Sequence, residues 1–405
     1  MDLNKQTYNY FLILFSLLPI SIIAGSAVSL VNILIIDFSF IILLVLKKDY
    51  YFLKNKTLIY FLILYIYLIF NTFISIDYSE GILRNFGFLR IIILFVAFNY
   101  FFQDQTFFKK VFKFWSIVIF IVLIDVFIES FTGTNIFGFG SDIYGVDRIV
   151  SFFKDEPIVG GYLNGFYLII IGFLFNEVKD NKNYLIIILS AIFIFSILLT
   201  GERSSTIKAI LGIIIFFMFY KNISIKKRLI IILTMILLIP IIVMNSIYLK
   251  KRFIHNISVL NDENNHNIYF HLYRSGFEVF KNNKLFGVGN KNYRIETCKE
   301  VKTNENYLCT THPHQIYFEF LSEHGLIGTF IILSIFYKLI FSKILSTIRE
   351  KNYIKIGSLI YLIFVFTPVL PTGAFFTNHM LILFTINLAI FYASDKQLNI
   401  FNKIN

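Results

Sequence analysis

Charge is scarce in this sequence. Asp, Glu, Lys and Arg supply 15% of its 405 residues and hydrophobic residues supply 57%, whereas soluble domains run at about 25% charged and about 45–50% apolar. The deficit excludes an ordinary soluble chain, although the length would fit two or three soluble domains. Cysteine is nearly absent, with only Cys298 and Cys309, so no disulfide-dense scaffold is possible. No internal repeat is evident, and the two halves carry no matching pair of broken helices, which speaks against an inverted-repeat transporter.

What is present is a succession of apolar runs of about 20 residues, the length that crosses a bilayer as a helix. Backbone polar groups in lipid must be satisfied within the chain, so these runs read as helices. We place spans at 8–24, 27–46, 57–76, 86–102, 111–130, 158–176, 184–200, 205–220, 229–247, 322–341, 353–370 and 375–393. The fold class is therefore an all-α polytopic membrane protein with about twelve transmembrane helices. Gly25-Ser26-Ala27 after the first run resembles a signal-peptidase site. A second apolar run follows at once, so the first is read as an uncleaved helix.

The net charge of +12 does not point to nucleic acid. Basic residues cluster in alternate turns: Lys47, Lys48, Lys54 and Lys56, then Lys109, Lys110 and Lys113, then Lys179 and Lys182. Lys221, Lys226, Lys227 and Arg228 follow, and then Lys338, Lys343, Arg349, Lys351 and Lys355. Such turns face the cytoplasm, which places both termini inside. Two outer segments are longer than the rest, the Gly-rich stretch 131–157 and a loop at about 248–321. That loop is expected to contain a helix around His271–Phe280, a turn at Lys284–Gly289 and a helix from His314 to Phe320. Cys298 and Cys309 both lie in it, eleven residues apart, on the oxidising side. A disulfide is the favoured reading and two free thiols the alternative.

Arginine breaks the charge pattern. The composition favours Phe, Ile, Asn, Lys and Tyr, a background in which Lys outnumbers Arg. Yet Arg84, Arg90, Arg148, Arg203, Arg252, Arg274 and Arg294 all fall on the outer side, leaving only Arg228 and Arg349 inside. The guanidinium fork fits phosphate and carboxylate bidentately and stays charged when partly desolvated. An anionic, phosphorylated lipid headgroup at the outer surface is the reading; pairing with acids, such as Arg148 with Asp147, is the alternative. Arg203 stands out in Thr200-Gly-Glu-Arg-Ser-Ser205, between two apolar runs with almost no loop. An ionised residue there needs a polar cavity, and Ser204, Ser205 and the N–H groups of the next helix start would add anion donors. Glu202 is either a partner for Arg203, the favoured assignment, or a second functional group.

The second cluster is Thr311-His-Pro-His-Gln-Ile-Tyr-Phe-Glu319. Histidine is the commonest general base. His312, His314 and a carboxylate form only a weak zinc pattern, because His314 and Glu319 do not share a helix face at i,i+4. No metal or other cofactor is assigned.

Together these stretches resemble the bacterial O-antigen ligase and polymerase superfamily. Thr200–Ser205 is similar to its TGxR-[ST] segment. Leu285–Gly289 and His312–Gly328 are similar to its "GvG … HNxxLxxxxExGxxG" signature. Gln315 stands where the family usually has Asn. The resemblance covers roughly 185–335 and implies a metal-independent glycosyltransferase of GT-C type. The donor would be a glycan on undecaprenyl diphosphate. The acceptor would be lipid A–core for a ligase, the favoured activity, or another lipid-linked glycan for a polymerase. The resemblance assigns His314 as the base, with Arg203 and Arg274 on the diphosphate. Glu202, Ser204, His312, Gln315, Arg148, Arg84 and Arg90 complete the candidate substrate-binding set. The implied division is N-terminal helices over 1–183, a ligase-like core over 184–341 with periplasmic loop 248–321, and C-terminal helices over 342–405, in a bacterial inner membrane. A lipid-linked oligosaccharide flippase and a small-solute channel are the competing classes. The flippase should carry more polar or charged residues at mid-membrane than this chain does, and no repeat or broken helix speaks for the channel.

Overall fold

A computed structural model describes residues 3–48, 50–140, 148–154, 156–177, 183–255, 268–299 and 306–402. Asp147, Lys179 and Lys182 lie outside the described residues. Every regular element among the described residues is helical. Among the described residues eight helices are long and apolar enough to cross a membrane: α1 Lys5–Ile23, α2 Ser26–Lys47, α3 Lys56–Phe73, α4 Tyr78–Phe101, α5 Gln105–Thr132, α6 Val159–Glu177, α9 Ile225–Asn245 and α12, which begins at Ile316. The other expected positions hold shorter helices: α7 Asn183–Leu199, α8 Arg203–Phe219, α13 Tyr353–Val365 and α14 Asn378–Ala393. The chain is a polytopic helical membrane protein. Two further helices, α10 Ile268–Asn282 and α11 Tyr293–Lys299, belong to the large loop.

Local chemistry explains where the helices begin and bend. Asp104 caps α5 by accepting from the N–H groups of Thr106 and Phe107, and Asn55 caps α3 through Thr57. α1 breaks at Leu17, just before Pro19, and α4 breaks at Gly87. Of the eight long helices α6 is the best buried. Gly172 and Gly357 let α6 and α13 pack backbone to backbone, since a Cβ at either would overlap the facing main chain. Asn387 of α14 donates to the Gly165 carbonyl at 2.7 Å, tying a third helix to this centre. By contrast α9 is almost unburied within the chain, as expected of a span facing lipid.

Contacts sort the turns into two ends. At one end Ile76 N donates to Val288 O, Asn378 to Ser26 O, and Gly160 N to Glu202. At the other end Lys355 is buried against Glu350 and Asp395, and Lys221 donates to the Arg349 carbonyl. Lys221, Arg349 and Lys355, three of the expected cytoplasmic cations, lie at this second end.

The last two spans differ from expectation. They were expected at 353–370 and 375–393, but α13 stops at Val365 and α14 starts at Asn378. Residues 366–377 form an irregular strap instead. Pro368 and Pro371 cause this, because each pushes its preceding residue out of helical geometry and supplies no N–H.

Candidate functional site

The two motif stretches meet at the first end, and the second of them builds its own platform. The Lys284–Gly289 turn docks on a kink in α12 at Gly325 (φ 63°, ψ −169°). Val288 N donates to Ser322 O at 2.9 Å, Gly289 N to Glu323 O at 2.9 Å, Leu326 N to Lys284 O at 2.8 Å and Ile327 N to Leu285 O at 3.1 Å. A Cβ at Gly287 or Gly325 would overlap the opposing main chain. The motif glycines are therefore sites of close backbone approach. An asparagine network locks the platform to α3 and α4: Asn290 N donates to Asn71 Oδ1 at 2.8 Å and Asn290 Nδ2 to Asn85 Oδ1 at 2.6 Å.

On this platform Gln315 caps α12, its Oε1 accepting from Tyr317 N at 2.8 Å and Phe318 N at 3.1 Å. The amide that replaces the family's usual Asn thus fills a helix-capping role. Just before it, His314 has a left-handed backbone (φ 54°), and its ring lies 3.9 Å from that of His312, centroid to centroid. Burial lowers the His314 pKa below the usual 6.5. Burial, then the neighbouring His314, push His312 down to about 4. Both imidazoles are neutral at neutral pH and can accept a proton. The His312 Nδ1 pairs with the Thr311 hydroxyl at 2.9 Å, and the Thr372 backbone of the 366–377 segment also faces the His312 ring.

The first motif sits at the head of α8. Arg203 Nε donates to the Arg252 carbonyl at 2.9 Å, and Arg252 Nη2 donates to Gly201 O at 3.2 Å. Arg148, Arg252 and Tyr269 are all within electrostatic reach of Arg203. Two further guanidiniums, each from a separate segment, thus lie in the neighbourhood of Arg203. Glu202 was expected to pair with Arg203 and does not. Its carboxylate accepts from Gly160 N at 2.6 Å, Gly161 N at 3.1 Å and Ser205 Oγ at 2.8 Å. The positive N-terminal end of α6 outcompetes the neighbouring side chain.

The strap joins the two motifs. Ser204 Oγ donates to Pro371 O at 2.7 Å, and Thr372 N donates to His314 O at 2.8 Å. Successive Cα atoms are about 3.8 Å apart, so adjacent strap residues hold the head of α8 and the His314 backbone side by side. Tyr273 of α10 donates to Val369 O at 2.8 Å, and buried Glu319 accepts from Phe375 N at 3.0 Å. None of the candidate site residues expected from sequence lies in this strap. The signal was Pro368-Val-Leu-Pro371-Thr-Gly373, which no apolar span should contain.

The other candidates divide. Arg84 donates to Asn290 Oδ1 at 3.3 Å and lies within electrostatic reach of His312, Glu319 and Glu323, so it joins the histidine side. Arg90 is turned into the fold, donating to Gly87 O at 2.9 Å and Asn378 Oδ1 at 3.0 Å, close to buried Asp37. Arg274 is exposed on α10, and no contact among the described residues joins it to Arg203 or His314. Cys298 and Cys309 are bonded to each other. Among the described residues no group of three His, Cys, Asp or Glu is arranged to hold a metal ion.

These features define a multi-pass membrane protein with a cluster of arginines and paired histidines at one end of the bundle. Residues 188–333 match the family described as O-antigen ligase. The matched segment contains Arg203, the Gly-Val-Gly turn and the His314 region, so the family resemblance seen in the motifs is shown over this stretch. No curated protein matches the chain.

Proposed function

We propose that the chain is a glycosyltransferase of the O-antigen ligase type, with about twelve spans in a GT-C-like arrangement. It takes a glycan from undecaprenyl diphosphate to an acceptor sugar of lipid A–core. The observation that carries this reading is the convergence of Arg148, Arg203 and Arg252 next to a strap that also grips His314. The Lys-rich end of the bundle faces the cytoplasm and the site faces the periplasm of a bacterial inner membrane.

In this reaction an acceptor hydroxyl attacks the anomeric carbon. A new C–O bond forms, the bond from that carbon to the phosphate oxygen breaks, and undecaprenyl diphosphate leaves with the electron pair. The hydroxyl proton passes to the neutral imidazole of His314. Preorganised guanidiniums aimed at the departing diphosphate stabilise its growing charge. Arg148 and Arg203 fill that role here, with Arg252 beside them. Arg274, exposed on α10, reaches the donor only if substrate brings its helix inward. Glu202, Ser204 and Gln315 shape the site through their bonds to Gly160, Pro371 and the start of α12, and His312 and Arg84 flank the acceptor side.

The test is gene deletion followed by electrophoresis of the surface lipopolysaccharide. Loss of every long band with lipid-linked polymer accumulating is the expected result. Core carrying a single repeat unit would instead make the chain a polymerase that joins lipid-linked glycans. An unchanged profile would refute both activities for that glycan.

A further inference from the structure

Helix α5 carries two acids that the proposed chemistry does not use. Asp125 and Glu129 lie one turn apart on one helix face, with relative exposures of 0% and 2%. Carboxylates buried at the edge of a membrane bundle are costly and are retained for a purpose. Their oxygens hold the end of the Gly-rich outer segment. Glu129 Oε1 accepts from Val150 N at 3.0 Å and Oε2 from Ser151 N at 2.6 Å. Asp125 Oδ1 accepts from Ile136 N at 3.0 Å, and its Oδ2 accepts from the Ser151 hydroxyl. Asn135 Nδ2 donates to Ser151 O at 2.7 Å, so each polar group of Ser151 is engaged. That grip holds Ser151 in a left-handed conformation (φ 48°), which a residue with a Cβ adopts only when its surroundings impose it.

Arg148 stands two residues before Val150. It lies within electrostatic reach of both Glu202 and Arg203. Its main chain runs directly into the Val150 and Ser151 N–H groups that Glu129 holds.

We propose that Asp125 and Glu129 are positioning residues for the anion site, pinning residues 148–153 so that Arg148 is presented beside Arg203. This rests on the reading of that cluster as the donor's diphosphate site. It adds that the cluster is assembled from a distance, by acids that never touch the lipid.

The test is a double-mutant cycle read as binding of undecaprenyl diphosphate to the full chain in lipid nanodiscs. Glu129→Gln keeps the volume but turns an acceptor oxygen into an NH2 group facing a backbone N–H. It should weaken binding about tenfold, as a lost charge-assisted bond does. In an Arg148→Ala background the same change should add less than about twofold, because residues acting as a unit are non-additive. If Glu129→Gln does not fold, Ser151→Ala takes its place in the cycle. Equal losses in both backgrounds, with Arg203→Ala still weakening binding, would overturn the positioning role and leave the anion site standing. Unchanged binding in Arg203→Ala would overturn the anion site and this inference with it.

Discussion

Replacing Gly325 by alanine should detach the motif platform. Gly325 sits at φ 63° and ψ −169°, a region essentially closed to residues with a Cβ, and occupying it costs about 1–3 kcal/mol. The new methyl would also overlap the Leu285 carbonyl and the Phe286 nitrogen, main-chain atoms that cannot swing aside as a flexible side chain can. Relief requires the 284–289 turn to lift from α12, which breaks the four backbone hydrogen bonds across that junction. Each contributes about 1 kcal/mol net. The combined loss is comparable with the whole stability of an ordinary domain, about 5–15 kcal/mol. Thermal unfolding of purified protein in detergent, alongside surface-glycan electrophoresis of complemented cells, reads the effect. Gly325→Ala should melt far earlier and fail to restore the glycan. Gly373→Ala is the control, because its Cβ would meet nothing closer than 3.6 Å. A Gly325→Ala protein with the melting point and activity of the parent would refute the interlock.

Other outcomes follow from the same geometry. Glu202→Ala removes the acceptor for Gly160, Gly161 and Ser205 and should destabilise the protein by about 1–3 kcal/mol, visible as an earlier melt. Transfer activity should fall on the acid side as His314 takes up a proton. Because burial lowers its pKa, that limb should lie below pH 6.5, and a limb above pH 7 in the rate profile would contradict the assignment. His312 binds its proton less readily folded than unfolded, so stability should decline as pH falls from about 6.5 to about 4; a His312→Asn protein should show a shallower slope in pH-dependent melts. Cys298→Ser should lower stability by roughly 2–4 kcal/mol through loss of loop closure, with reductant doing the same to the parent and nothing to the variant.

Hydropathy alone placed helices at every expected position because lipid imposes one requirement on each span. It failed at residues 366–377, where an apolar stretch is interrupted by Pro368 and Pro371 and the chain leaves helix to grip Ser204 and His314. Motif spacing pointed to Arg203 and His314, but not to the residues that support them. Glu202 was given to Arg203 because they are neighbours in sequence; in space the start of α6 is the better donor. Counting arginines by side treated all outer ones alike. Arg90 is spent on Gly87 and Asn378, while Arg252 joins Arg203. Sidedness shows where a cation lies along the membrane normal, and only packing shows which way it turns.

The most direct measurement pairs undecaprenyl diphosphate binding with single-turnover transfer for Arg203→Ala, Arg203→Lys and His314→Ala. A point charge does not replace the planar fork, so both Arg203 variants should lose binding and transfer together. His314→Ala should bind as the parent does while transfer slows by about 100- to 10,000-fold. Full transfer by Arg203→Lys, or undiminished turnover without the imidazole, would contradict the account.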